Sequence, residues 1–292
     1  MEDYLIRGMD KSGRLRVFAA STTHLVEHAR SIHNTSPTAT AALGRSLTAG
    51  AIMGSMMKND SDILTLKISG GGPIGNIIIV ADNKGNVKGL ADNPFADVPS
   101  RSDGKLDVGR LVGKNGVVTT IMDLGLKDPY VGQSNLVSGE IGEDIANLYL
   151  VSEQQPSAVA LGVLVDKDIS CRAAGGYFIQ LLPGIDDEDI DRIEERIKVS
   201  PSVSAMIDKG LTPEDIVKEL LGDFDIDILS TMGLNYKCNC SRDKIRKVLI
   251  SLGKKEVEDM LKEDGKAEVV CHFCNTKYQF NKEDLAKILV DI

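Results

Sequence analysis

The chain has 292 residues, 42% hydrophobic and 26% charged, the balance of a globular protein long enough for two domains or one with an appendage. No run reaches the roughly 18 consecutive apolar residues of a membrane helix, and the N-terminal MEDYLIRGMDKSGRL lacks the basic-then-apolar order of a signal peptide, so a cytoplasmic protein without a membrane partner is expected. The net charge of −9 is uneven: residues 1–232 hold 22 basic against 33 acidic side chains and residues 233–292 hold 12 against 10, which argues against broad nucleic-acid binding and puts a domain boundary near 232.

In chain order, DYLIRGMDKSGRLRVFAAST predicts an opening hairpin turning at Asp10-Lys11-Ser12-Gly13. TTHLVEHARSIHN has helical spacing at Leu25, Ala29 and Ile32, and SPTATAALGRSLTAGAIMGSMM predicts a small-residue helix that allows close packing. DILTLKISG and NIIIVADNKGNVKGLA predict strands around glycine turns. GEDIANLYLVSEQQ predicts an amphipathic helix with Ile145, Leu148 and Val151 on one face, and SAVALGVLVD and GGYFIQLLPG complete a strand-rich core. The fold class is α+β: a core domain with a mixed sheet over 1–184.

From Ile185 acids dominate. GIDDEDIDRIEERIKVSPSVSAMIDKG predicts a helix, and LTPEDIVKELLGDFDIDIL a shorter one, punctuated by Gly210 and Gly222, with Thr212 as N-cap, Pro213 at N1 and Asp215 at N3. Residues 185–232 are therefore expected to be a helical linker, short of core and of low local stability.

The last fifth holds four of the five cysteines, as Cys238-x-Cys240 and Cys271-x-x-Cys274. Four soft ligands on two short knuckles suit tetrahedral Zn²⁺ if the segment between folds back. SRDKIRKVLISLG and KKEVEDMLKEDG predict helices there, and AEVVCHFCNTKYQF a hairpin carrying the second knuckle. About 60 residues make a marginal core, so a structural zinc ion would hold this C-terminal domain, 233–292, together. Its thiolates also remain open to oxidation: the spacing permits a redox switch as well as a purely structural staple.

Weaker signals point nowhere definite. SGGGPIGN lacks the Lys-Ser/Thr and the helix of a phosphate loop and is expected to be a turn between strands. His24 and His28 have i,i+4 spacing without the Glu of His-Glu-x-x-His. Cys171 is expected in the core. Arg242, Lys244, Arg246 and Lys247 form a basic helix face, which supports an alternative reading as a zinc-containing nucleic-acid or ribosome-binding module. A thiol-disulfide oxidoreductase using Cys271 and Cys274 lacks a thioredoxin-like βαβ context. No catalytic triad or carboxylate pair emerges, so no enzyme is expected.

The chain closely resembles the thirty-three-kilodalton heat-shock protein family of redox-regulated molecular chaperones. YKCNCSRDKIRKVLISLG, EVVCHFCNTKYQF, SGEIGEDIANLYLVSEQQPSAVALGV and GGYFIQLLPG carry the resemblance. It implies zinc on Cys238, Cys240, Cys271 and Cys274 when reduced. It further implies Cys238–Cys240 and Cys271–Cys274 disulfides with zinc loss on oxidation, and unfolding of the 185–232 linker. The expected partners are unfolding client proteins, held without ATP, and a second copy in an oxidised homodimer. Ile216, Leu220 and Leu221 are the expected client-contact stripe.

Overall fold

The computed structural model describes residues 2–292, which divide into two compact units, Met1–Tyr236 and Lys237–Ile292. In the first, β1 (Tyr4–Asp10) and β2 (Leu15–Ser21) form the expected hairpin, and the Asp10 carboxylate accepts from the Ser12 and Leu15 backbone N–H groups to fix its turn. Then come α1 (Thr23–His33), α2 (Pro37–Ser55), β3 (Ile63–Ser69), β4 (Asn76–Asp82), β5 (Asn86–Ala91), α3 (Val108–Val112), β6 (Val117–Asp123), β7 (Tyr130–Asn135), α4 (Gly142–Val151), β8 (Ser157–Val165) and β9 (Cys171–Leu181). Helices α5 (Asp187–Val199), α6 (Val203–Asp208) and α7 (Pro213–Leu221) lead to strands β10 (Ile226–Gly233) and β11 (Asn235–Tyr236).

Two sheets result. One has the order β10-β1-β2-β9-β8, antiparallel throughout. The other runs β11-β5-β4-β3-β6-β7, with β11 and β5 parallel, so the predicted mixed α+β core is present. Strands β3, β4 and β5 alternate buried and half-buried positions, the period-2 pattern of a sheet with one covered face. Helix α2 is buried on nearly all sides and shares one core with Phe18 and Phe178 of the first sheet and Leu66 and Ile79 of the second. Its small residues permit this: a Cβ on Gly44 would meet Val26 at 2.7 Å, and one on Gly50 would meet Ile79 at 2.5 Å.

SGGGPIGN is a turn between β3 and β4, and its glycines answer to backbone crowding. A Cβ on Gly70 would meet the Gly113 carbonyl at 2.3 Å, and one on Gly72 the Leu111 carbonyl at 2.3 Å.

The acidic segment departs from its sequence expectation in three ways. Ser200-Pro201 interrupts the helix predicted over 184–210, because proline at 201 lacks the N–H that would continue it; α5 and α6 result. Residues 226–233 are a strand paired with β1, and the contact boundary falls after Tyr236. The segment also has a well-formed core. Ile193, Val203, Met206, Ile216, Val217, Leu220 and Leu221 close over Ile6, Leu15, Val17 and Ile179 of the first sheet. The capping predicted for α7 is present: Thr212 Oγ1 accepts from Asp215 N at 3.2 Å, and Asp215 accepts from Thr212 N at 3.0 Å.

The second unit holds α8 (Arg242–Leu252), α9 (Lys254–Glu263), β12 (Ala267–Val270), β13 (Lys277–Phe280) and α10 (Lys282–Asp291). Its fully buried apolar residues are Leu249, Val257, Phe280, Leu285 and Ile288. No helix among the described residues is long and apolar enough to cross a membrane.

Candidate metal centre

Each knuckle is positioned by local backbone chemistry. After Cys240, Ser241 takes extended geometry and its hydroxyl accepts from Lys244 N, starting α8; the Lys244 ammonium donates back to the Asn239 carbonyl at 2.9 Å. Cys271 and Cys274 sit in the turn between β12 and β13, the hairpin expected from sequence. Cys271 N donates to Thr276 O, while Cys274 N and Asn275 N both donate to Cys271 O. Asn275 takes a left-handed conformation with φ 54°, which asparagine tolerates better than branched residues.

These turns bring the four predicted sulfurs within 4.8 Å of one another. Cys238 and Cys271 Sγ are 3.7 Å apart, and Cys240 and Cys274 Sγ are 3.4 Å apart. A tetrahedral thiolate site with bonds of about 2.3 Å has edges of about 3.8 Å. The donor set therefore suits a four-coordinate soft cation. All four cysteines are half-buried and free of disulfides.

The thiols are not electrostatically alike. Burial pushes Cys238 up to about 12 and raises Cys271. Burial also pushes Cys274 upward, but its hydrogen bonds with the Thr276 hydroxyl and backbone N–H, and with the thiols of Cys240 and Cys271, outweigh it and bring it down to about 7. The Thr276 Oγ1 lies 3.2 Å from Cys274 Sγ. Sequence reasoning missed one neighbour: the Tyr278 hydroxyl donates to Cys240 Sγ at 3.1 Å. That bond keeps the phenol protonated, its pKa raised to about 12 chiefly by the sulfur it faces.

The other candidates separate from this centre. His24 is turned to Asp3, which accepts from His24 N and Leu25 N and so caps α1; His28 packs edge-on against Tyr236. Among the described residues no metal-sized group of His, Cys, Asp or Glu includes them. Cys171 is buried, its thiol pushed up to about 12 by burial, as expected of a core cysteine. Of the basic face on α8, Arg242 stacks 4.4 Å from the Phe280 ring centroid and pairs with Asp284, Arg246 pairs with Asp291, and Lys244 is bound to Asn239. Ile216, Leu220 and Leu221 are 0%, 2% and 1% exposed, facing the first sheet.

Fold and site together define a two-unit α+β protein whose smaller unit is built around a four-cysteine, metal-type centre. The family model described as Hsp33 protein matches residues 3–281, and the chain belongs to that family. It is 49% identical to a 33 kDa chaperonin of Lachnoclostridium phytofermentans, over 99% of both chains. It is 48% identical to a 33 kDa chaperonin of Geobacillus kaustophilus, over 99% of this chain and 98% of that one. The crystal structure of the 33 kDa chaperonin from Thermotoga maritima superposes with a TM-score of 0.92 at 38% identity, covering all of both chains. Chaperone function follows from this membership.

Proposed function

We propose that this chain is a cytoplasmic, oxidation-activated holdase, not an enzyme, that binds unfolding proteins without ATP. The observation carrying the reading is the clustering of Cys238, Cys240, Cys271 and Cys274 in a unit with only five fully buried apolar residues. Zn²⁺ is the cation that suits four thiolates in tetrahedral array. When bound, it supplies cross-linking and charge neutralisation that this small core does not provide. Tyr278 and Thr276 orient Cys240 and Cys274.

Each disulfide formed by peroxide joins two thiols, transfers two electrons to the O–O bond and yields two waters. Two disulfides leave no thiolate donors. The pairing is Cys238 with Cys240 and Cys271 with Cys274, although the shortest sulfur separations run across the knuckles.

Loss of the centre unfolds the second unit and then the 185–232 linker. Helices α6 and α7 span six and nine residues, too short to persist without the sheet beneath them. Their release bares two apolar surfaces: Ile216, Leu220 and Leu221 on the helices, and Ile6, Val17 and Ile179 on the strands. These surfaces take clients, and the activated form is a homodimer. The nucleic-acid alternative loses support because three of the four basic side chains of α8 are engaged within their own unit.

Titrating the reduced protein with peroxide, while following zinc release, free thiols and suppression of client aggregation, tests the reading. Zinc release in step with activity is expected. Activity with zinc retained would overturn the coupling, and disulfides mapped across the knuckles would overturn the pairing.

A further inference from the structure

The first unit contains a cavity of about 450 Å³ that takes no part in the cysteine chemistry. That volume lies in the roughly 300–1,000 Å³ range of small-molecule sites. Its apolar wall is formed by Met53, Met56, Met57, Met122, Leu148 and Tyr149. Methionines adapt their shape to a guest more readily than branched side chains do. The Tyr149 hydroxyl is 3.2 Å from Met56 Sδ, so the wall's one phenol is turned onto a thioether.

The lining also holds two cations, Arg16 and Lys58. Arg16 lines the cavity, and its Nε donates to Gln180 Oε1 at 2.8 Å, while Gln180 itself is 1% exposed. The Arg16 guanidinium lies 5.6 Å from the Phe18 ring centroid, and Arg7 lies 6.0 Å from the same centroid. Neither arginine forms an ion pair with a carboxylate among the described residues, and the buried Arg7 Nε has no hydrogen-bond partner. Burial, and then the charge of Arg7, lower the pKa of Arg16, the signature of a cation short of counter-charge. The cavity's acids already hold hydrogen bonds. Asp62 accepts from Lys58 N and Asn59 N, and Glu153 from the Tyr130 hydroxyl.

We propose that this cavity binds a small amphiphilic monocarboxylate, its apolar chain against the methionines and its carboxylate on Arg16 and Gln180. A guanidinium matches a carboxylate geometrically, and the Gln180 amide nitrogen supplies a second donor. A single negative charge fits, because a dianion would add repulsion from Asp62 and Glu153 on the same lining.

The test uses the full-length, reduced, zinc-loaded chain labelled with 13C at its methionine methyls, titrated with sodium decanoate and, separately, with decanol. The expected result is saturable one-to-one binding of decanoate. Shifts should fall on Met53, Met56, Met57 and Met122 and leave Met9, Met206 and Met260 unmoved. Decanol should bind at least tenfold more weakly, and Arg16→Gln should bring decanoate down to the decanol level with the fold unchanged by circular dichroism. Equal binding of decanoate and decanol, shifts centred on other methionines, or no saturation below the decanoate micelle concentration would each overturn the site. The decanoate-to-decanol ratio on the unmodified chain decides the matter even if the variant does not fold.

Discussion

At the residue scale, single contacts set how tightly the centre is held and how the first unit answers to pH. The Tyr278 hydroxyl supplies Cys240 with a neutral donor that steadies a thiolate. Outer-shell donors of this kind are worth about 10–100-fold in metal affinity. Tyr278→Phe is therefore expected to weaken zinc at least tenfold, read by competition with a chromophoric chelator, and to hasten peroxide-driven release. An unchanged competition curve would remove Tyr278 from the centre. Glu27 offers a pH test. The Arg30 side chain binds its carboxylate through two N–H groups at 2.8 and 2.6 Å, burial opposes, and Cys171 N adds a bond at 2.8 Å; the net pKa is lowered. A group depressed on folding contributes stability above its unfolded pKa and loses it as pH falls through the folded value. Glu27→Gln should therefore destabilise the chain at pH 7, with the difference fading below about pH 4. Urea midpoints at both pH values check the sign.

At the scale of elements, the strongest periodicities and the punctuating residues were the legible ones. The β1–β2 hairpin, the small-residue α2, the capped start of α7 and the β12–β13 hairpin all follow from local pattern. Strand β10 was not legible. DFDIDILS carries acids at alternate positions, and what makes it a strand is non-local pairing with β1, more than 200 residues away. The burial of α5–α7 was equally hidden, because an acidic helix with few apolar residues looks uncored until the sheet beneath it is known. Helix α10 left a readable cap, Asn281 with Asp284. The consequence is testable at Leu220, which is 2% exposed between α7 and the first sheet. Leu220→Ala should cost about 2–5 kcal/mol in denaturant unfolding, and it should lower the oxidant dose at which chaperone activity appears. A variant with wild-type stability would show that α7 contributes little to holding the linker down.

At the scale of the whole molecule, the two units differ in what keeps them folded. The first has two sheets about a buried helix and a second cluster on its outer face, and needs no metal to account for its core. The second rests on five fully buried side chains and the sulfur cluster. The clustering of the four cysteines was legible because cysteine spacing is sparse and specific. Their near neighbours were not, because Tyr278 and Thr276 carry no such signature. Structural zinc contributes on the order of 10–16 kcal/mol, against roughly 5–15 kcal/mol for the whole stability of a domain. Removing the metal from the reduced protein with a strong chelator should therefore unfold Lys237–Ile292, while the strands of the first unit persist. In amide exchange, protection should vanish over α8, α9 and α10 and remain over β2, β4 and β9. Protection should fall next at α6 and α7, whose short helices hold only through the sheet face they cover. If the second unit kept its protection without metal, its five-residue core would be sufficient and the switch would have to lie elsewhere. If β2 and β9 opened together with α8, the chain would be one cooperative unit, and metal loss would unfold the molecule rather than arm it.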